Sequence, residues 1–344
     1  MNFCSDNVTD IAPEIMAALV AASKGAVAPY GQDEYTSRLE VKFSELFETA
    51  VTIFPVVTDV AANALALSVM SLPFGAIYCH SESNINLKAC GATEFYTGGA
   101  KLLTLQGEDG KIQASDLATV LGQAGFGIAR KVQPTAVSLT QATEVGTVYS
   151  PDEIHKIAEF AQTHSLSLHM DGTRFANAVV SLNCSPADIT WRAGVDVLSL
   201  GATNNGAIAA EAVVFFNRAL AETFSYRCKR GGHLISKMWF LSVQLEAYIT
   251  DNLWLRNATY ANQMATKLAA GLASLPGIRQ VHAVEANEVF IQLPETVIQG
   301  LIADGFQFYR CGVDDSNTIQ LVTAFNTLER DINTLLESAR RYAT

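Results

Sequence analysis

The chain has 344 residues, of which 49% are hydrophobic and 17% charged, and its formal net charge is −11. The length exceeds one ordinary hydrophobic core, and the hydrophobic content excludes general disorder. The acidic balance argues against nucleic acid and anionic membranes as partners.

The most apolar stretch, 60–79, is interrupted by Asn63, Pro73 and Gly75 before it reaches bilayer-spanning length. The first residues carry no basic and apolar leader pattern. The six cysteines are scattered with no Cys-x-x-Cys pair. Both observations read as a reduced, cytoplasmic chain without a cysteine-based metal site.

In chain order, residues 1–34 are polar and turn-rich and read as an arm. An amphipathic helix follows over 35–50, with Leu39, Phe43, Leu46 and Phe47 on one face. Residues 51–57 read as a strand, 61–70 as an Ala/Leu helix and 76–79 as a short strand ending at His80. Further strands are expected at 136–139, 165–169, 195–200 and 212–216, with helices at 151–163 and 187–191. The first of these two helices opens with Ser150, Pro151 and Glu153, an N-cap, N1 and N3 combination that starts a helix. Alternation of this kind implies a mainly parallel, doubly wound α/β sheet. From residue 238 one long helix is expected to 272, followed by a compact α+β unit to the end. The expected division is an arm over 1–34, a large α/β domain over 35–237 and a small domain over 238–344.

The stretch Leu198 to Ala207 leaves an apolar run and breaks at Gly201 and Gly206, which places a loop at the carboxyl edge of the sheet, where ligands of open α/β sheets sit. With Phe3–Asn7, Tyr30–Tyr35, Ala61–Ala66, Gly91–Phe95, Gln141–Tyr149, His169–Arg174 and Arg230–Leu234, it resembles the threonine aldolase family, notably its phenylserine-aldolase branch. The resemblance implies the aspartate-aminotransferase fold (fold type I of pyridoxal-phosphate enzymes), PLP as cofactor and assembly as a homodimer or homotetramer. It also implies that Asp171 pairs with the pyridine nitrogen and that Arg174 lies beside cofactor and substrate.

Elsewhere the chain departs from the pattern of that family. The Schiff-base lysine position is Asn204, and the ring-stacking histidine position is Asn84, with His80 kept as the outer histidine. The carboxylate-gripping arginine position is Gln320, and the phosphate-binding Thr-Gly-Thr is Thr58-Asp59-Val60. A carboxylate about 4 Å from a phosphate costs roughly 4 kcal/mol per unit charge at an effective dielectric near 20. Asp59 also reads as a plain helix N-cap.

From these departures the sequence suggests a repurposed, cofactor-independent lyase, cyclase or isomerase acting on a neutral or cationic small molecule. In that reading Asp59 or Asp171 moves protons, while Arg174, Asn204 or Asn84 stabilises developing negative charge. Ser5, Tyr30, His80, Asn84, Gln320 and Trp239 are the expected ligand-binding residues, and no cofactor or metal is expected. Two alternatives stand beside it. One is a non-catalytic chain that binds a metabolite or a paralogue. The other is a PLP-dependent threonine-aldolase-type lyase in inactivated or unconventional form, with the cofactor held non-covalently by Asp171 and Arg174.

Overall fold

The computed structural model describes residues 1–311 and 317–343. Seven strands form the larger sheet: β1 (Thr52–Val56), β2 (Gly75–His80), β3 (Lys101–Leu105), β4 (Gln133–Thr140), β5 (Ser167–Gly172), β6 (Val197–Gly201) and β7 (Glu211–Phe215). Their order is β1-β7-β6-β5-β4-β2-β3, and β7 runs antiparallel to both of its neighbours while the other pairs are parallel.

Both faces of this sheet are covered, which is why β6 and β7 are buried at every residue and apolar at nearly all of them. On one face Val197 packs with Leu65 and Ala61 of the helix Asp59–Met70. On the other, Leu198 and Leu200 pack with Ile154 and Ile157 of the helix Pro151–Thr163. That second helix starts as its sequence dictates: Ser150 accepts from the Glu153 amide, and Glu153 accepts in return from the Ser150 amide.

A second sheet of β8 (Arg279–Gln280), β9 (Glu288–Gln292), β10 (Tyr309–Cys311) and β11 (Thr318–Val322) is antiparallel, in the order β10-β11-β9-β8. It buries Ile291, Ile319 and Leu321 against the helices Leu253–Ala273 and Glu329–Tyr342.

The N-terminal stretch contributes more to the core than its polar composition suggests. Residues Pro13–Ala22 form a helix whose Ile15 and Leu19 are buried in the main core. Ahead of it, the Phe3 amide donates to Gln307 O at 2.8 Å, the Val322 amide donates to Phe3 O at 2.8 Å, and the Phe3 ring enters the second core. The segment is thereby pinned to the smaller sheet.

The single helix expected over 238–272 is two, Trp239–Ile249 and Leu253–Ala273. The break falls at Asp251 and Asn252, both with positive φ, a conformation that Asp and Asn tolerate through local hydrogen bonding. The helix expected at 187–191 is replaced by turns and a 3₁₀ turn, Trp191–Ala193. β3 and the helices Ala114–Leu121 and Phe175–Leu182 carry too short a pattern to be read from sequence.

Two features fix the loop after β6. Gly201 lies so close to the end of β5 that a Cβ there would stand 2.4 Å from Thr173 O. Glu211 is buried and accepts from the Ala202 amide at 2.9 Å. Burial pushes the Glu211 carboxyl up to about 8, and Asp59 adds to the rise, against the opposing effect of bonds from Thr203 and Ala202.

Gly201→Ala is therefore expected to destabilise the chain by about 1–3 kcal/mol, read as a lower denaturation midpoint, because the obstacle is backbone. Because the folded-state pKa of Glu211 is raised, its contribution is full below the ordinary carboxylate range and is lost as pH rises toward about 8. Glu211→Gln is expected to flatten stability against pH across that window. Unchanged midpoints at pH 5 and pH 8 relative to the parent chain would contradict the assignment.

Candidate functional site

The carboxyl ends of β1, β2, β4, β5 and β6 face the same way and deliver Asp59, Asn84, Glu144, Asp171 and Asn204 to one edge of the sheet. Asp171 is the penultimate residue of β5 and is 2% exposed. One of its oxygens accepts from Thr173, through the amide at 3.1 Å and Oγ1 at 2.8 Å, and the other from Asn63 Nδ2 at 2.7 Å. Burial pushes this carboxyl up to about 6, against those bonds and with the help of Asp59.

Arg174 sits three residues on, where the chain turns into the helix Phe175–Leu182, and it grips Asp6 of the N-terminal segment. Its Nε donates to Asp6 Oδ2 at 2.8 Å and its Nη2 to Asp6 Oδ1 at 3.0 Å. Asn204 Nδ2 reaches Asp6 Oδ1 at 2.8 Å and Asn287 Nδ2 reaches Asp6 Oδ2 at 2.9 Å. The other face of Arg174 lies 3.4 Å from Glu288 of β9. Glu288 Oε1 also accepts from Gln320 Nε2 of β11 at 2.8 Å, while its Oε2 is buried without a hydrogen-bond partner. Burial opposes the Arg174 charge, yet Asp6 and Glu288 outweigh it and raise the pKa of the guanidinium. Glu288 is raised by burial despite Arg174.

Beside this group the helical turn Asn84–Leu87 presents the Asn84 amide to Glu144 Oε1 at 2.7 Å. Lys88 Nζ stands 3.8 Å from Glu144 Oε2. Asn84 Oδ1 is buried and unpartnered. At the start of the helix Asp59–Met70 the N-cap is Thr58, whose Oγ1 accepts from the Ala61 amide at 3.1 Å, so the expected capping role of Asp59 belongs to its neighbour. Asp59 is the first helical residue, and its own Oδ1 takes the Val60 amide at 2.8 Å.

Of the residues singled out from sequence, Asp171, Arg174, Asn204, Asn84, Gln320 and Asp59 thus come to this edge. Ser5 adjoins it through Asp6, 3.4 Å from Ser5 Oγ. Three do not join it. His80 is tied to Gly107 O at 3.1 Å and accepts from the Glu82 amide, a structural role at the end of β2. Tyr30 is 47% exposed with Lys229 over its ring at 4.4 Å. Trp239 opens its helix and packs edge-on with Phe240.

Sequence reasoning passes over Asp6, Glu144, Asn63, Asn287 and Glu288. Asp6, Asn63 and Glu144 lie inside segments that carry the family resemblance, so an acid or amide inside a resembling segment is the signal that points to them. Asn287 and Glu288 carry no local signal. No group of three or more His, Cys, Asp or Glu among the described residues has the arrangement to hold a metal ion. No helix among them is long and apolar enough to cross a membrane.

Comparison with known proteins bears on the whole chain. A family model described as beta-eliminating lyase matches residues 2–296. A low specificity L-threonine aldolase of Pseudomonas aeruginosa is 44% identical over 313 residues, 89% of this chain and 88% of that protein. Another, from a Pseudomonas species, is 42% identical over 308 residues, with 89% and 88% covered. The structure of a Leishmania major threonine aldolase superposes with a TM-score of 0.93 at 28% identity, covering 100% of this chain and 99% of the other. The fold is accordingly the aspartate-aminotransferase-like fold type I of PLP enzymes.

These matches correct two expectations. A cofactor-independent enzyme for a neutral or cationic small molecule, with no cofactor, does not stand against 44% identity to a threonine aldolase over nearly the full length. The comparisons point to PLP and to threonine-aldolase chemistry. At the site itself the Asp171 carboxylate is in place at the end of β5, held by Asn63 and Thr173. The chain belongs to the beta-eliminating lyase family, alongside threonine aldolases.

Proposed function

We propose that this chain is a PLP-dependent lyase of the threonine-aldolase type that cleaves a β-hydroxy-α-amino acid and holds its cofactor without a covalent bond at position 204. The observation that carries the reading is Asp171, a buried carboxylate at the end of β5, whose Oδ2 accepts from Asn63 Nδ2 alone and keeps acceptor capacity for a protonated ring nitrogen.

The residues present fit one half of the cofactor. Asp171 suits the ring nitrogen, Asn84 with its unpartnered Oδ1 suits the ring edge, and Arg174 suits the neighbouring ligand. The phosphate half does not fit as well. The first amides of the helix Asp59–Met70 are already taken by Thr58 and Asp59, and Asp59 brings a carboxylate to the place where an anion would sit. No step is therefore routed through the group. When bound, PLP supplies an electron-accepting ring. The chain's own residues build the edge around the ligand: Arg174 and Asn204 donate to Asp6, Arg174 lies against Glu288, and Glu144 accepts from the Asn84 amide.

Tyr30 and Trp239 lie apart from this cluster within one chain. We assign them to the site of a second copy in a cytoplasmic homodimer or homotetramer, which is consistent with the exposure of Tyr30.

Titration with PLP followed by visible absorbance, with aldehyde release from L-threonine as the second readout, tests the reading. The expected result is weak, saturable binding with slow acetaldehyde formation. No spectral perturbation at millimolar PLP and no aldehyde would sink it. Asp59→Gly removes the opposing charge and is expected to tighten PLP binding by about tenfold or more, since one charge pair at this range is worth more than about 1.4 kcal/mol at an effective dielectric near 20. Asn204→Lys is expected to produce a borohydride-reducible adduct, found by mass in the peptide carrying position 204 and absent from the parent chain.

A further inference from the structure

At the opposite end of β2 from Asn84 lies a cavity of about 430 Å³, large enough for a small organic ligand. Its walls come from residues 71–73 ahead of β2, from the helix Ala92–Thr97 and from the last turn of the helix Phe224–Arg230. Two arginines line it, Arg227 and Arg230. They stand three residues apart on one helix, so they share a face and repel each other.

Neither arginine has a carboxylate at ion-pair distance among the described residues, whereas Arg38, Arg174, Arg192 and Arg256 each meet one. Arg227 Nε is buried and has no hydrogen-bond partner. Burial lowers the pKa of the Arg227 guanidinium, and Arg230 adds to the fall. A guanidinium that gives up water without gaining an acceptor costs free energy, and a second cation beside it adds to that cost. The chain carries a net charge of −11, so carboxylates are plentiful, yet none serves this pair.

The hydroxyl groups of the cavity are already committed. The Tyr96 hydroxyl donates to Gly231 O at 3.3 Å and lies 3.0 Å from His233 Nε2. Thr97 Oγ1 donates to Thr93 O at 2.8 Å, and Ser71 Oγ donates to Leu72 O at 3.2 Å while accepting from Thr135 Oγ1 at 2.9 Å. The side-chain donors left over are the two guanidinium groups. Beside them Leu72, Pro73 and Phe95, the last 78% exposed, offer apolar surface.

We propose that this cavity binds a small organic anion, its carboxylate or phosphate head held by Arg227 and Arg230 and its apolar part laid along Leu72 and Phe95. The planar fork of arginine matches both head groups, and an anion supplies the acceptor and the opposite charge that the pair lacks. The site is separate from the Asp171 edge and does not rest on the lyase reading.

Calorimetric titration of the full chain with benzoate, phenyl phosphate and the neutral isostere benzamide tests the proposal, with the denaturation midpoint as a second readout. At least one of the two anions is expected to bind saturably and to raise the midpoint, with benzamide weaker by about tenfold or more. Arg227→Met, which keeps the apolar stem, and Arg230→Gln are each expected to weaken the anion by about tenfold or more. Arg227→Lys, which keeps the charge but not the fork, is expected to fall between parent and Arg227→Met. Because the pair is uncompensated, Arg227→Met without ligand is expected to match or exceed the parent's midpoint, where loss of a structural ion pair would lower it. Failure of both anions to bind the parent, or equal binding to parent and Arg227→Met, overturns the proposal. So does a smaller sedimenting species for Arg227→Met with anion binding absent from the parent, which assigns the arginines to a contact between copies of the chain.

Discussion

The buried pair of Asp6 and Arg174 holds the functional edge together. Asp6 arrives on the N-terminal segment, which is stitched to the smaller sheet, and Arg174 leaves β5 of the larger one. The pair is bidentate, 1% exposed at Asp6, and completed by Asn204 and Asn287. Two buried charges repay their desolvation only when geometry and surrounding hydrogen bonds are complete, and losing one partner of such a pair costs about 3–5 kcal/mol. Here the donors of Arg174, Asn204 and Asn287 leave no Asp6 oxygen poorly served. The relative placement of the two sheets and the shape of the ligand edge therefore depend on the same contact.

Around that pair the edge is crowded with carboxylates. Asp171, Glu144 and Glu211 are each pushed upward, first by burial, and Glu288 likewise despite its arginine. Crowding of this kind raises pKa values because each charge that leaves water must be offset by a partner or removed by a proton. Perturbed groups gathered at a sheet edge are a mark of functional sites, whatever their individual roles.

Much of the scaffold is legible in the sequence because its cause is local. Ser150, Pro151 and Glu153 place a helix start, and the apolar runs of β6 and β7 announce strands covered on both faces. Gly201 and Gly206 mark the loop after β6 at the sheet edge, and the family resemblance singles out Asp171, Arg174 and Asn204. What stays hidden depends on tertiary meetings. Asp6 becomes a site residue only because a chain segment 168 positions away in sequence carries Arg174. Glu288 and Gln320 meet because β9 and β11 are neighbours in register. The break at Asp251 and Asn252 is invisible in a hydrophobic pattern that continues on both sides of it. Tyr30 and Trp239, conversely, are expected at the ligand yet stay outside the cluster of their own chain.

The amides at positions 204, 287 and 320 give the site a common logic. Asn204 and Asn287 donate to Asp6, and Gln320 donates to Glu288, so the carboxylates are satisfied by hydrogen bonds with little added positive charge. An amide supplies direction but only a partial charge, so it stabilises an ionised carboxylate less than an ammonium or guanidinium does. Arg174 serves both Asp6 and Glu288, and burial raises the neighbouring carboxyls of Asp171, Glu144 and Glu211. A site balanced by protons responds to pH where one balanced by fixed cations does not. Among its acids, Glu144 faces the exposed Lys88 across 3.8 Å, which places its protonation under the influence of a group at the solvent boundary. Acid–base capacity is thereby gathered at this edge, on the side where the Asn84 turn and Lys88 meet the solvent.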